Sequence, residues 1–119
     1  MTYHGILLDV EFKSKEFLEN FKILGSEKSE TNPWTMYKIE VPDKDIEKVI
    51  EMCQSNLVIG TYYCHFYREN EIIVVFKKKI FRVTTDKTTW KSVIEYGMSI
   101  GISPKQLDMK PVKFEDETY

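Results

Sequence analysis

The most chemically suggestive run in this chain is Tyr62-Tyr63-Cys64-His65-Phe66-Tyr67, a thiol and an imidazole among aromatic rings. A base that takes a thiol proton generates the thiolate that attacks, so this pairing of types invites a nucleophilic reading. Spacing argues against it. The run is rich in residues that suit strands, and successive strand side chains point to opposite faces. Tyr63, His65 and Tyr67 then share one face, and Tyr62, Cys64 and Phe66 the other. Cys64 and His65 cannot pair with each other, and the remaining histidine is His4. Cys64 reads as a small buried hydrophobe. His65 between two phenols can bind a ligand, relay a proton or sit in an interface. An interface or plain packing ranks ahead of catalysis. Tyr63, His65 and Tyr67 are therefore the binding candidates, and no residue is assigned a catalytic role.

Carboxylates are the second candidates. Asp43 and Asp45 resemble a metal-binding DxD pair, but both fall where a helix starts and acidic residues favour the dipole. Asp9 and Glu11 share one face of the expected first strand, about 7 Å apart, without a cleft to make them an acid/base pair. Glu115-Asp116-Glu117 reads as a solvated, frayed tail covering about residues 112–119. The five glycines form no phosphate-binding loop, and no zinc-binding, serine-hydrolase or calcium-loop pattern occurs. The two cysteines, Cys53 and Cys64, lack zinc-finger spacing. No metal and no cofactor are expected.

The elements that position these residues follow from periodicity. Tyr3 to Phe12 alternates as a strand. Phe17, Leu18, Phe21 and Leu24 recur at helical spacing after Ser14, a fair N-cap, with Gly25 as a stop. Residues 21–28 read equally as helix, strand or loop, and the polar stretch from Gly25 to Pro33 as a loop. Trp34 to Val41 is a second strand ended by Pro42. Asp43 caps an amphipathic helix with Ile46, Val49, Ile50 and Cys53 on its apolar stripe. Gly60 to Val83 gives three strands in series, with turns at Arg68-Glu69-Asn70 and Lys77-Lys78-Lys79. Asp86 caps a second helix that buries Trp90, Val93, Ile94 and Gly97 and stops at Gly101. Gly97 implies a closely packed neighbour, and Ser103-Pro104-Lys105-Gln106 predicts one short turn containing Leu107.

Helix and strand alternate in the rhythm of an α+β fold. The expectation is a two-layer sandwich: a mainly antiparallel sheet of about five strands with two main helices on one face, ferredoxin-like or a permuted variant with the N-terminal strand at an edge. Residues 72–76 are apolar on both faces, so something must cover the face the helices leave. The short helix around Phe17 and Phe21, the tail with Phe114 and Tyr119, or a second copy of the chain would serve. At 119 residues the chain is expected to form one domain, 1–119.

Charge narrows the function. Seventeen basic and 19 acidic residues give a net charge of −2, which does not suit phosphate-driven nucleic-acid binding. RNA binding through sheet aromatics ranks third for that reason. No apolar stretch approaches a membrane span, and no signal peptide is evident, so a reducing cytoplasm with free thiols is expected.

Two segments carry a resemblance. YYCHFYRENEIIVVFKKKIFRV followed by TTWKSVIEYGMSIGISPKQLD resembles a set of small uncharacterised prokaryotic proteins. The marks are an aromatic strand, a VVFK-K-F hairpin and a helix ending in YG-S-GI-P--QLD. The likeness covers roughly the C-terminal half, implies a single compact domain, and brings no functional residue with it. The expected function is a non-catalytic interaction module that self-associates, as a homodimer or with a protein partner, through the aromatic sheet face. The alternative is an enzyme or small-ligand binder with a pocket over Tyr63, His65 and Tyr67.

Overall fold

A computed structural model of the chain describes residues 2–30, 33–107 and 109. The acidic tail, with Phe114 and Tyr119, lies outside the described residues. The fold is α+β: one six-stranded antiparallel sheet and two α-helices. The strands are β1 (Thr2–Leu8), β2 (Lys22–Lys28), β3 (Thr35–Pro42), β4 (Tyr63–Arg68), β5 (Glu71–Phe76) and β6 (Ile80–Thr84). The helices are α1 (Ile46–Asn56) and α2 (Lys91–Ser99). Strand order across the sheet is β2-β3-β1-β4-β5-β6.

The C-terminal meander matches its sequence pattern closely. Tyr63 to Phe76 forms a hairpin with Arg68 opposite Glu71, and Val74 lies opposite both His65 and Phe81. β1 sits in the middle of the sheet between β3 and β4, not at an edge. Gly5 makes that placement possible: it lies opposite Phe66, and a Cβ there would fall 2.6 Å from the Phe66 ring.

The two helices occupy opposite faces of the sheet, correcting the expected one-sided helix layer. Ile73 and Val75 of β5 join Val49, Ile50 and Cys53 of α1 in one core cluster. Ile72, Val74 and Phe76 join Trp90 and Val93 in the other. All five of these β5 residues are buried, as a strand covered on both faces must be. The second cover is α2, with Ile102, Leu107 and Met109 beside it. The short helical segment that was a candidate cover lies on the α1 face, where Phe17 packs 4.7 Å from Phe12. Helical period alone cannot say which face a helix chooses, and both stripes fit either side.

The N-terminal half departs further. β1 ends at Leu8, and Asp9–Glu11 turn as a 3-10 helix, so Asp9 and Glu11 do not share a strand face. Ser14 does cap, accepting from the Glu16 N–H at 3.2 Å, but the segment behind it is a 3-10 helix, Lys15–Asn20. Lys22–Lys28, within the stretch 21–28 that reads equally as helix, strand or loop, then runs as β2, with a bulge between Ile23 and Gly25. Asp43 lies in a 3-10 turn before α1 and makes no cap; its carboxylate accepts from Arg68 Nη1 at 2.6 Å.

The second helix entry agrees with its pattern. Asp86 accepts from the Thr88 N–H at 2.9 Å, and Trp90 Nε1 donates to Thr84 O at 2.7 Å. Gly97 is tight against Leu107, 2.6 Å from a would-be Cβ, and Gly101 ends the helix with φ at +99°.

Candidate functional site

Tyr63, His65 and Tyr67 do share a face of β4, as alternation requires. Their rings form a row: 6.5 Å between the centroids of Tyr63 and His65, 5.9 Å between His65 and Tyr67. His4 of β1 extends the row, edge-on to Tyr67 at 6.0 Å. The row lies on the α2 face. Tyr67 is buried in that core, and the Tyr63 hydroxyl donates to the Gln106 carbonyl, beside the turn that carries Leu107. His65 is only partly buried. Much of the apolar surplus on this face is therefore met by the chain's own α2 and residues 102–109.

Burial strips His65 of its charge. Desolvation lowers its pKa to about 4, so the imidazole is neutral across the physiological range. A neutral imidazole with so low a proton affinity is a hydrogen-bonding group and a poor general base near pH 7.

A second cluster was not recognised in the sequence. Glu11, Cys53 and Cys64 meet in the α1-side core, each at most 1% exposed. Glu11 arrives there because the turn after β1 swings it inward; its Oε1 accepts from the Leu8 N–H at 2.9 Å. Its Oε2 is buried without a hydrogen-bond partner. Loss of hydration pushes the Glu11 carboxyl well above the usual carboxylate range, and neighbouring Cys53 and Asp9 add to the rise. The Cys64 thiol is likewise raised well above its ordinary value, first by burial and then by a hydrogen bond to Cys53. A thiol so placed stays protonated, which agrees with its reading as a small hydrophobe. The signal that finds this cluster is three-dimensional: Glu11 lies 42 positions from Cys53 in the chain, and only the turn brings it in.

A third feature lies at the sheet edge. No described strand pairs with the outer side of β2. Six of its seven residues are exposed, including Ile23 at 45% and Leu24 at 39%.

At the opposite end of the meander, charges hold the framework together. Arg68 bridges Asp43 and Glu71 while its guanidinium lies 4.1 Å from the Tyr3 ring centroid, and Tyr3 donates to Glu71. This ties the α1 entrance to the β4–β5 turn and has the form of a structural clamp. Among the described residues no group of three or more His, Cys, Asp or Glu side chains is placed to hold a metal ion, and no helix is long and apolar enough to cross a membrane. Comparison with protein-family models, with curated proteins and with solved structures gives no match.

Proposed function

We propose that this protein is a non-catalytic interaction module that works as a homodimer, joined through the β2 edges of two copies. The observation that carries the reading is the exposed edge strand itself, with Ile23 and Leu24 facing water. An edge strand presents unpaired backbone N–H and C=O groups, and a second copy is a ready partner for them.

The bulge limits the registers that keep sheet faces matched. Lys22 and Glu27 lie opposite Glu40 and Met36 of β3, on one sheet face; Ile23 and Ser26 lie opposite Ile39 and Tyr37, on the other. Two-fold antiparallel pairing of β2 with its copy must keep faces matched. A register that sets Lys22 opposite the copy's Glu27 and Ile23 opposite its Ser26 does so. Setting Lys22 opposite Lys28 does not, because those residues point to different faces. Among the registers that keep faces matched, this one joins opposite charges twice, whereas Lys22 opposite Lys28 would have joined like charges.

Self-association at β2 leaves Tyr63, His65 and Tyr67 outside the contact. Those rings are partly or wholly covered by α2 and residues 102–109, and a stable dimer contact needs roughly 800 Å² per partner. The neutral state of His65 and the protonated state of Cys64 support the non-catalytic half of the proposal. The free thiols support a reducing cytoplasmic setting.

Charge reversal tests the contact. Lys22→Glu and Glu27→Lys should each weaken the dimer, and the double variant should restore it; failure of the double variant to recover a folded dimer removes this register. A second reading keeps one favouring observation, the partly accessible neutral imidazole of His65 framed by phenols, which suits a small uncharged ligand. His65→Ala distinguishes the two. It leaves the dimer intact on the β2 reading, and a folded monomer would return the contact to the aromatic face.

A further inference from the structure

The sheet has a second open margin. β6 is its last strand, and no described strand pairs with the outer side. Thr84 donates its N–H to Thr89 Oγ1 at 3.1 Å, and its carbonyl accepts from Trp90 Nε1 at 2.7 Å. Both backbone groups of Thr84 thus point away from β5 and are closed off by the turn ahead of α2. Inward and outward backbone groups alternate by residue along an antiparallel strand, so Arg82 and Ile80 turn theirs outward too. The carbonyl of Lys79 faces the other way and accepts from Phe76 N at 2.8 Å, as that alternation requires. Ile80 and Arg82 therefore offer two donors and two acceptors along a short open edge.

Positive charge surrounds this edge. Residues 77–91 hold six basic residues against Asp86 alone, in a chain whose net charge is −2. Two of the cations flank the strand on opposite sheet faces. Lys79 lies on the α2 side, its Nζ 5.2 Å from the Phe81 ring centroid and 5.7 Å from that of Tyr96. Arg82 lies on the α1 side, in an ion pair with Glu47 whose two side chains are 51% and 73% exposed. Ile80 is on the same face as Arg82 and is 37% exposed. A second copy of the chain does not suit this edge. Antiparallel β6–β6 pairing sets two basic segments side by side, and like charges across strands repel. An acidic strand meets the opposite condition, with backbone to pair and cations on either face to neutralise.

We propose that the β6 edge docks an extended acidic segment of a partner protein, added as a further strand beside residues 80–82. In this mode main-chain hydrogen bonds hold the segment, and its alternate side chains supply the selectivity. On the α2 face a carboxylate of the segment meets Lys79. On the α1 face a carboxylate meets Arg82, and an aliphatic side chain two residues away rests on Ile80. The exposed pair with Glu47 is no obstacle, because surface ion pairs are weak and exchange readily. The capped Thr84 ends the slot, so the docked strand is short and its affinity leans on charge. The site lies at the margin opposite β2, and each chain carries one whether or not two chains associate there.

Fluorescence anisotropy of the full chain with a fluorescein-labelled peptide, Glu-Glu-Val-Glu-Glu-Val-Glu, reads the contact, and amide NMR spectra locate it. Binding should saturate, weaken as salt rises, and shift the Ile80 and Arg82 amides. Lys78→Glu combined with Lys79→Glu should weaken it by about tenfold or more. Ile80→Pro removes one outward N–H at the first position of an edge strand, where proline is tolerated, and should weaken it about fivefold. A fully N-methylated form of the peptide, which has no backbone donors, should fail to bind, and it serves if the proline variant does not fold. Absence of saturable binding overturns the proposal and leaves the lysines as a solvated guard on the edge. Equal binding of the N-methylated peptide, equally tight binding of single-stranded DNA, or amide shifts confined to β2 also overturns it. A tenfold gain in affinity on changing Glu115→Gln, Asp116→Asn and Glu117→Gln together makes the chain's own acidic run the occupant and removes the partner.

Discussion

Glu11 and His65 are both forced towards neutrality by the same cause, loss of hydration, and the consequences for stability have opposite signs. For Glu11 the folded pKa lies above the ordinary 4.5. Its contribution is fully present below that value and is lost as pH rises towards the folded pKa. For His65 the folded value of about 4 lies below the ordinary 6.5, so stability is lost as pH falls between the two. Each slope is about 1.4 kcal/mol per pH unit, and over the window from 4.5 to 6.5 they oppose each other. Asp9, Cys53 and Cys64 are the titratable groups that face Glu11. Urea unfolding should therefore show Glu11→Gln gaining stability relative to the wild type as pH rises above 4.5, His65 being common to both. A constant difference across pH would mean that Glu11 is ionised in the fold. The His65 imidazole resonances should titrate with a midpoint near 4, and a midpoint near 6.5 would place the ring in water.

At the scale of elements, the three-strand meander was legible because its residue types, its alternation and its turns agree. One local conflict remains in it. Glu69 sits in the β4–β5 turn with φ at +44°, a region that costs a side chain roughly 1–2 kcal/mol. Glu69→Gly should raise the urea midpoint, corresponding to a gain of about 1 kcal/mol; a loss would mean that the glutamate side chain contributes more than its backbone strain costs. Gly5 is the converse case. Gly5→Ala puts a methyl into the Phe66 ring and should cost about 1–3 kcal/mol. The β2 strand was less legible. Gly25 and Ser26 are turn formers, and only pairing with β3, made asymmetric by the bulge, holds this segment extended. The placement of α1 and α2 was hidden for another reason. A helix's apolar stripe states that it must be covered, and the side of the sheet it reaches is set by the connections, here Leu57 to Tyr62 and Thr85 to Asp86.

At the scale of the whole molecule, the sequence marked β5 as a strand that needs cover on both faces. Five consecutive buried residues in β5 demand two covers, and both are supplied from within the chain by α1 and α2. Among the described residues the β2 margin is left exposed, as is the outer edge of β6 with Ile80, and residues 21–28 read equally as helix, strand or loop until the strand is seen. Tyr63, His65 and Tyr67 share the face that alternation gives them, whereas Glu11, which reads as a strand-face carboxylate beside Asp9, is buried through a turn that interrupts an otherwise strand-like pattern. The central claim, a homodimer through β2, is tested most directly by sedimentation velocity across a concentration series, comparing the wild type with Leu24→Lys. Leu24 is exposed at the bulge, so the lysine should leave the fold intact while placing two like charges close together at the centre of the contact. The wild type should sediment as a dimer at high concentration and Leu24→Lys as a folded monomer. A wild type that stays monomeric throughout, or a variant that dimerises equally well, contradicts the account.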